Sequence, residues 1–128
     1  MAEKEIVLTK DAPEPVGPYS QAIWAGDFLF CSGQIALDPK TGQVVGGSDV
    51  QAQTRQVMAN IEAVLSAAKL NFSNVIKTTI YLTSMQDFTL VNEIYGGYFK
   101  KDPPARSTVA VAGLPKGVSV EIEVLARR

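Results

Sequence analysis

The last quarter of the chain most constrains what it can fold into. From Val118 to Val124 the residues alternate strictly, with Val118, Val120, Ile122 and Val124 on one parity and Ser119, Glu121 and Glu123 on the other. Strand side chains point alternately to opposite faces, so the run reads as a half-buried β-strand. Ahead of it, Arg106-Ser107-Thr108-Val109-Ala110-Val111 reads as another strand, and Ala112-Gly113-Leu114-Pro115-Lys116-Gly117 as a turn. Joined as a β-hairpin about Gly113-Leu114, the two strands place Arg106 opposite Glu121. Both then project from the face that the apolar set does not use.

The rest of the chain supplies the remaining elements. Ile6–Thr9 is a short first strand. Asp11–Pro18 holds three prolines and a glycine and reads as a loop closed by Gly17-Pro18-Tyr19-Ser20. Gln21–Ala25 and Phe28–Ser32 are strands joined by a Gly26-Asp27 turn. The second is apolar on both faces, Phe28 and Phe30 against Leu29 and Cys31, and so needs cover on both sides. Gly33 marks a bulge or a close backbone approach. Asp38-Pro39-Lys40-Thr41-Gly42 is a turn between Ile35–Leu37 and Gln43–Val45. Ser48 with Gln51 signals a helix start, and Val50, Thr54, Val57, Ile61, Val64, Leu65 and Ala68 follow at helical spacing to an end near Leu70-Asn71. Val75–Leu82 is a strand with Ile76, Ile80 and Leu82 on one face. Ser84 or Asp87 then caps a second helix, whose stripe is Phe88, Val91, Tyr95 and Tyr98 or Phe99.

The order predicts one α+β domain over residues 1–128, a mixed sheet with two helices packed on one face. Two helices cover one face only. The other would carry Leu29 or Phe30, Tyr81, Leu125 and the Arg106/Glu121 pair, an apolar and ionic surface that water alone would not cover. A homo-oligomer is therefore expected.

Composition removes several chemistries. The chain has no histidine, so no Ser-His-Asp or Cys-His triad and no histidine-ligated metal. Cys31 is the single cysteine, which leaves no internal disulfide and no cysteine-based zinc site, and it reads as a small core hydrophobe. A formal net charge of -1 gives no electrostatic footprint for nucleic acid or an acidic membrane. Met1-Ala2-Glu3-Lys4-Glu5 has no signal-peptide core and no run is long enough to span a bilayer, so the cytosol is the expected compartment.

Spacing alone leaves two readings of Arg106 and Glu121. One is a cross-strand salt bridge worth at most ~1 kcal/mol. The other is a planar fork for a substrate carboxylate beside a carboxylate that holds water. The second reading gains from an oligomer that would bury both groups in a cleft, and proximity to Arg106 would lower the Glu121 pKa. Tyr19, Ser32, Gly33 and Asn92 read equally as ordinary packing, strand termination or solvent-facing polar positions. Lys77 and Tyr81 read as interface positions.

Together, Gly17-Pro18-Tyr19-Ser20, Ser32-Gly33-Gln34, Asp38-Pro39-Lys40-Thr41-Gly42, Pro104-Ala105-Arg106-Ser107 and Leu114-Pro115-Lys116-Gly117 through Glu123 closely resemble the reactive intermediate deaminase family, RidA subgroup, also called the YjgF family. The resemblance runs from about Tyr19 to Arg127. It implies a chorismate-mutase-like fold assembled as a homotrimer with sites between subunits. It also implies hydrolysis of 2-imino acids, formed from enamines such as 2-aminoacrylate, to 2-keto acids and ammonia without a cofactor. Carried over, Arg106 binds the substrate carboxylate and Glu121 positions the water. Tyr19, Ser32, Gly33, Asn92, Ser107 and Thr108 line the pocket. Thr108 stands where many bacterial members have cysteine, so a role for that thiol is lost and one for the backbone amide survives. Competing functions are a small-carboxylate or keto-acid sensor, a ribonuclease or translation inhibitor, and a chaperone-like holder. The charge balance and the missing histidine place the ribonuclease below the others.

Overall fold

The computed structural model describes residues 4–128; Met1 to Glu3 lie outside the described residues. The strands are β1 (Glu5–Val7), β2 (Ala22–Ala25), β3 (Phe28–Cys31), β4 (Val75–Leu82), β5 (Ala105–Ala110) and β6 (Val120–Arg127). The helices are α1 (Val50–Ala67) and α2 (Phe88–Gly96). One six-stranded sheet runs β1-β2-β3-β6-β4-β5. All its pairings are antiparallel except β4 with β5. Both helices lie on one face, and the α+β architecture is as expected. Among the described residues no helix is long and apolar enough to cross a membrane.

The C-terminal hairpin is not formed. β4 lies between β5 and β6, parallel to the first and antiparallel to the second. A parallel neighbour needs a crossover, and α2 supplies it between β4 and β5. That occupies one edge of β4 and sends β6 to the other. Alternation within β6 was legible, whereas in β5 the apolar Val109 turns to the open face and Arg106 to the helices; alternation also carries no information about the partner.

Burial follows the β6 pattern. Val120, Ile122 and Val124 are buried against the helices with Ile80 and Leu82 of β4, and they meet Val57, Met58, Ile61, Val64 and Leu65 of α1 in one core. Val91, Tyr95 and Phe99 extend this core from α2. Inside it the Thr78 hydroxyl bonds the Tyr95 phenol at 2.7 Å.

Three local expectations are corrected. Asp49, not Ser48, caps α1: its Oδ1 accepts from Gln51 N at 3.0 Å and Ala52 N at 3.2 Å. A carboxylate satisfies two of the orphan N–H groups at the positive helix end. α1 stops at Ala67 rather than near Leu70-Asn71 because Lys69 takes a left-handed backbone, φ 62°. Ile76 is 41% exposed, since the register of β4 against β6 shifts between Val75 and Lys77 and the bulge turns it out of the core.

The second sheet face is open. It carries Ile6, Phe28, Phe30 and Val109, all exposed, with Lys77, Thr79, Tyr81, Glu121, Glu123 and Leu125. β3 is therefore covered on the Leu29 face only, and Phe30 remains 54% exposed. Cys31 is half-buried, and burial pushes its thiol up to about 12. It is a neutral packing group at physiological pH.

Candidate functional site

Glu121 stands on the open face of β6, paired with Tyr81 of β4. Opposite it the chain leaves β3. Phe30 pairs with Leu125, and the next bridge is Gln34 with Ile122, so β3 spends one residue more than β6 over Cys31-Ser32-Gly33. This bulge brings Gly33 against the Glu121 carboxylate. A Cβ built on Gly33 would overlap Glu121 Oε2, so a larger residue here would displace the carboxylate from its present position. Ser32 is fixed beside it. Its hydroxyl donates to Ser20 O, and its N–H donates to Gln21 O at 2.9 Å.

Tyr19 reaches the same place from a long connection. β1 and β2 are antiparallel neighbours, with Val7 opposite Ala22, yet the chain runs from Leu8 to Gln21 between them. Two residues would close such a hairpin, so a connection of this length signals function. It is held in place by Gln21, 1% exposed. Gln21 Oε1 accepts from Thr9 N at 2.7 Å, and its Nε2 donates to Thr9 O at 3.0 Å and Pro13 O at 2.9 Å. The loop lies over a cleft of about 490 Å³ in which Tyr19, Ser32, Gly33 and Glu121 come together. Pro13, Val16, Ile35, Leu37 and Lys116 complete its walls.

Two further buried carboxamides hold backbone around the cleft. Asn60 of α1 donates to Ile35 O at 3.2 Å and Leu37 O at 3.0 Å. Gln53 accepts from Ser119 N at 2.9 Å, where β6 begins, and donates to Gly47 O. Sequence reasoning did not single out Gln21, Gln53 or Asn60. The signal existed for two of them: Gln53 and Asn60 fall on the α1 stripe with Val50, Val57, Ile61 and Val64, and a carboxamide at a core position needs partners. Lys116 was missed as a wall residue. It holds φ 57° between Pro115 and Gly117, a left-handed backbone uncommon for a lysine.

Burial pushes the Glu121 carboxyl above the usual carboxylate value, and the neighbouring Glu123 carboxylate adds to the shift. The lowered value expected from Arg106 is not found, because Arg106 is elsewhere. Glu123 itself accepts from the Tyr81 phenol at 2.8 Å, which raises the phenol and holds Glu123 on the same face.

Arg106 pairs with Thr78 of β4, which pairs with Val124 of β6, so all three project to the helix face. Its guanidinium lies 5.3 Å from the Tyr95 ring centroid and 5.6 Å from that of Phe88, and Nη1 donates to Asn92 Oδ1 at 2.6 Å. Two rings and an amide fix the fork beside α2, and its other N–H groups have no partner among the described residues. Thr108, two residues on and of the same parity, has a buried hydroxyl with no partner among the described residues. Ser107 turns to the open face, where it accepts from Lys77 Nζ at 3.1 Å.

The expected residues thus form two groups in this chain. Tyr19, Ser32, Gly33 and Glu121 share the cleft; Arg106, Asn92 and Thr108 belong to the β5/α2 edge. Ser107 joins neither. Among the described residues no group of three or more His, Cys, Asp or Glu gathers to hold a metal ion.

Residues 9–128 match the family described as Endoribonuclease L-PSP. A RutC family protein of Pyrococcus horikoshii is 54% identical over 123 residues, covering 96% of this chain and 97% of that protein. Human 2-iminobutanoate/2-iminopropanoate deaminase is 45% identical, covering 96% and 89%. The crystal structure of Escherichia coli TdcF with bound serine superposes with a TM-score of 0.91 at 41% identity, covering 97% of this chain and 98% of that one.

Proposed function

From the premise that this chain belongs to the Endoribonuclease L-PSP (YjgF/RutC) family, we propose that it hydrolyses 2-imino acids to 2-keto acids and ammonia. The site would form between subunits of a homotrimer. One subunit presents Arg106 with Asn92 and Thr108 from its β5/α2 edge; the next presents the Tyr19, Ser32, Gly33 and Glu121 cleft. One observation carries this arrangement: the carboxylate anchor and the water-holding carboxylate face opposite sides of one sheet, so a single chain cannot close both on a small substrate. The open face, with Phe28, Phe30 and Val109 exposed, supplies apolar surface for assembly. The named activity of the human relative supports the reaction, and the serine in TdcF supports an amino-acid-sized carboxylate as ligand.

The chemistry suits these groups. Arg106 would take the carboxylate in its fork, restrained by Asn92 and the two rings. A protonated imine is electrophilic at C2, so water adds with modest assistance. Glu121 accepts a proton from that water as the C–O bond forms and the C=N electrons return to nitrogen. It then protonates the nitrogen. Ammonia leaves as the C2–N bond breaks, and Glu121, again a carboxylate, takes the hydroxyl proton as C2=O forms.

The test is direct. A pyridoxal phosphate-dependent dehydratase generates 2-aminoacrylate in the presence of the protein, and imine loss is followed against Arg106→Ala and Glu121→Ala. Both variants should lose the rate enhancement while remaining oligomeric. Near wild-type turnover by either overturns the mechanism.

A further inference from the structure

We propose that Thr78 and Tyr95 are positioning residues for the carboxylate anchor: their buried hydroxyl pair sets the ring against which the Arg106 guanidinium lies. The inference rests on the reading of Arg106 as the group that takes the substrate carboxylate. It concerns two residues too deep to touch that substrate. Thr78 is 1% exposed and Tyr95 4%, both within their own chain, so a second copy that closes the site leaves the pair as it is.

The arrangement follows from the elements. Arg106 and Thr78 are registered partners on β5 and β4, so their side chains stand side by side on the helix face. Phe88, Asn92 and Tyr95 recur at i, i+4 and i+7 on α2 and turn one stripe towards that pair. Tyr95 meets both partners. Its hydroxyl shares a 2.7 Å hydrogen bond with that of Thr78, and its ring centroid lies 5.3 Å from the guanidinium carbon. Phe99 packs on the ring at 4.8 Å between centroids. Packing of this kind tolerates small shifts; the hydroxyl pair is the ring's one directional contact among the described residues. The cradle around Arg106 is also neutral. Phe88, Asn92 and Tyr95 supply π faces and an amide oxygen, and no carboxylate among the described residues forms an ion pair with the guanidinium. Burial holds the Tyr95 phenol above its ordinary value, so it stays uncharged. The charge is oriented without being neutralised, as a ligand carboxylate requires.

The carboxylate is unchanged by the reaction, so its grip counts alike in ground and transition states and is read in KM rather than kcat. The experiment measures pyruvate binding by calorimetry, kcat and KM for 2-iminopropanoate generated by an amino-acid oxidase, and urea unfolding. The variants are Thr78→Val, Thr78→Ser, Tyr95→Phe and the double Thr78→Val/Tyr95→Phe. Thr78→Val and Tyr95→Phe should each raise the pyruvate Kd and KM about fivefold with kcat nearly unchanged, and Thr78→Ser should keep both at wild type. The double variant leaves no phenol unpaired, so its stability should return towards wild type while its Kd stays raised. Unchanged Kd and KM in Tyr95→Phe overturn the inference, because that variant keeps the ring and removes only its hydroxyl. So does a Kd that recovers with stability in the double variant, which would make the pair structural only. A wild-type chain that binds pyruvate, loses affinity in both single variants and hydrolyses no imine upholds the positioning role and defeats the deaminase reading. Turnover with Kd and KM unmoved in the variants does the reverse. Neither pyruvate binding nor turnover by the wild type defeats both.

Discussion

Arg106 and Glu121 lie on opposite faces of the same sheet, with β4 between their strands. Arg106 is registered to Thr78 and Glu121 to Tyr81, so the two are also offset along β4. The carboxylate anchor and the water holder of one reaction would then have to come from different copies of the chain.

Subunit mixing tests this. Arg106→Ala and Glu121→Ala should each be inactive alone. Every mixed trimer would hold one intact site, so refolding the two together in equal amounts should restore about one quarter of wild-type activity. The assay is imine loss before and after co-refolding. No recovery, with mixed trimers demonstrated by mass, would place the site within one subunit.

Glu121 also makes stability depend on pH. Burial first, and Glu123 second, hold its carboxyl above the ordinary value, so the folded chain keeps the proton to higher pH than the unfolded chain. The stability from this group is full below the ordinary carboxylate value and is lost as pH rises through the raised one. Glu121→Gln removes that loss. In an Arg106→Ala background, where no copy can supply the guanidinium, the Gln variant should melt above its parent at neutral pH, and the gap should close in acid. An equal gap at both pH values would show an unperturbed carboxyl.

Gly33→Ala tests the close approach of β3 to Glu121. The added methyl overlaps Oε2, so the carboxylate must swing away from the position in which it would hold the water. Displacement of about 1 Å is enough to lower kcat by around a hundredfold. The fold should survive, because the bulge lies outside the buried core. Unchanged kcat would mean that Glu121 acts from another position.

Gln21→Glu tests the tether of the Tyr19 loop. A carboxylate keeps the contact with Thr9 N but loses both donors to Thr9 O and Pro13 O. The cost should be about 1–3 kcal/mol in urea unfolding. Hydrogen exchange should rise over residues 9–16 while β4 and β6 stay protected. Unaltered exchange in the loop would mean that its prolines alone fix it.

Much of this structure is legible in the sequence, and the illegible parts have physical causes. Val118, Val120, Ile122 and Val124 are buried as their alternation requires, and β4 spans Val75–Leu82 as read, because both signals are local. Strand pairing is not local. Glu121 was read on the correct parity of β6, but Arg106 was not: besides the inserted β4, β5 turns Arg106 to the helix face with Thr78 and Val124 and leaves Val109, read as part of the apolar set, on the open face. Ile76 was lost to a bulge, which period-two reasoning cannot anticipate. Gln21 and Asn60 carried no reading in the sequence, yet each is 1% exposed because backbone carbonyls deep in the fold satisfy its amide. The raised carboxyl of Glu121 followed from the same pairing error: with no guanidinium beside it, desolvation decides the direction.

The three buried carboxamides have a consequence for how the cleft meets a changing cell. Gln21, Gln53 and Asn60 do not ionise, and buried neutral hydrogen bonds are little screened by salt. Acidification that protonates Glu121 therefore leaves these tethers unbroken. The cleft separates shape from charge: neutral amides hold its backbone, and the carboxyl at its floor carries the pH response.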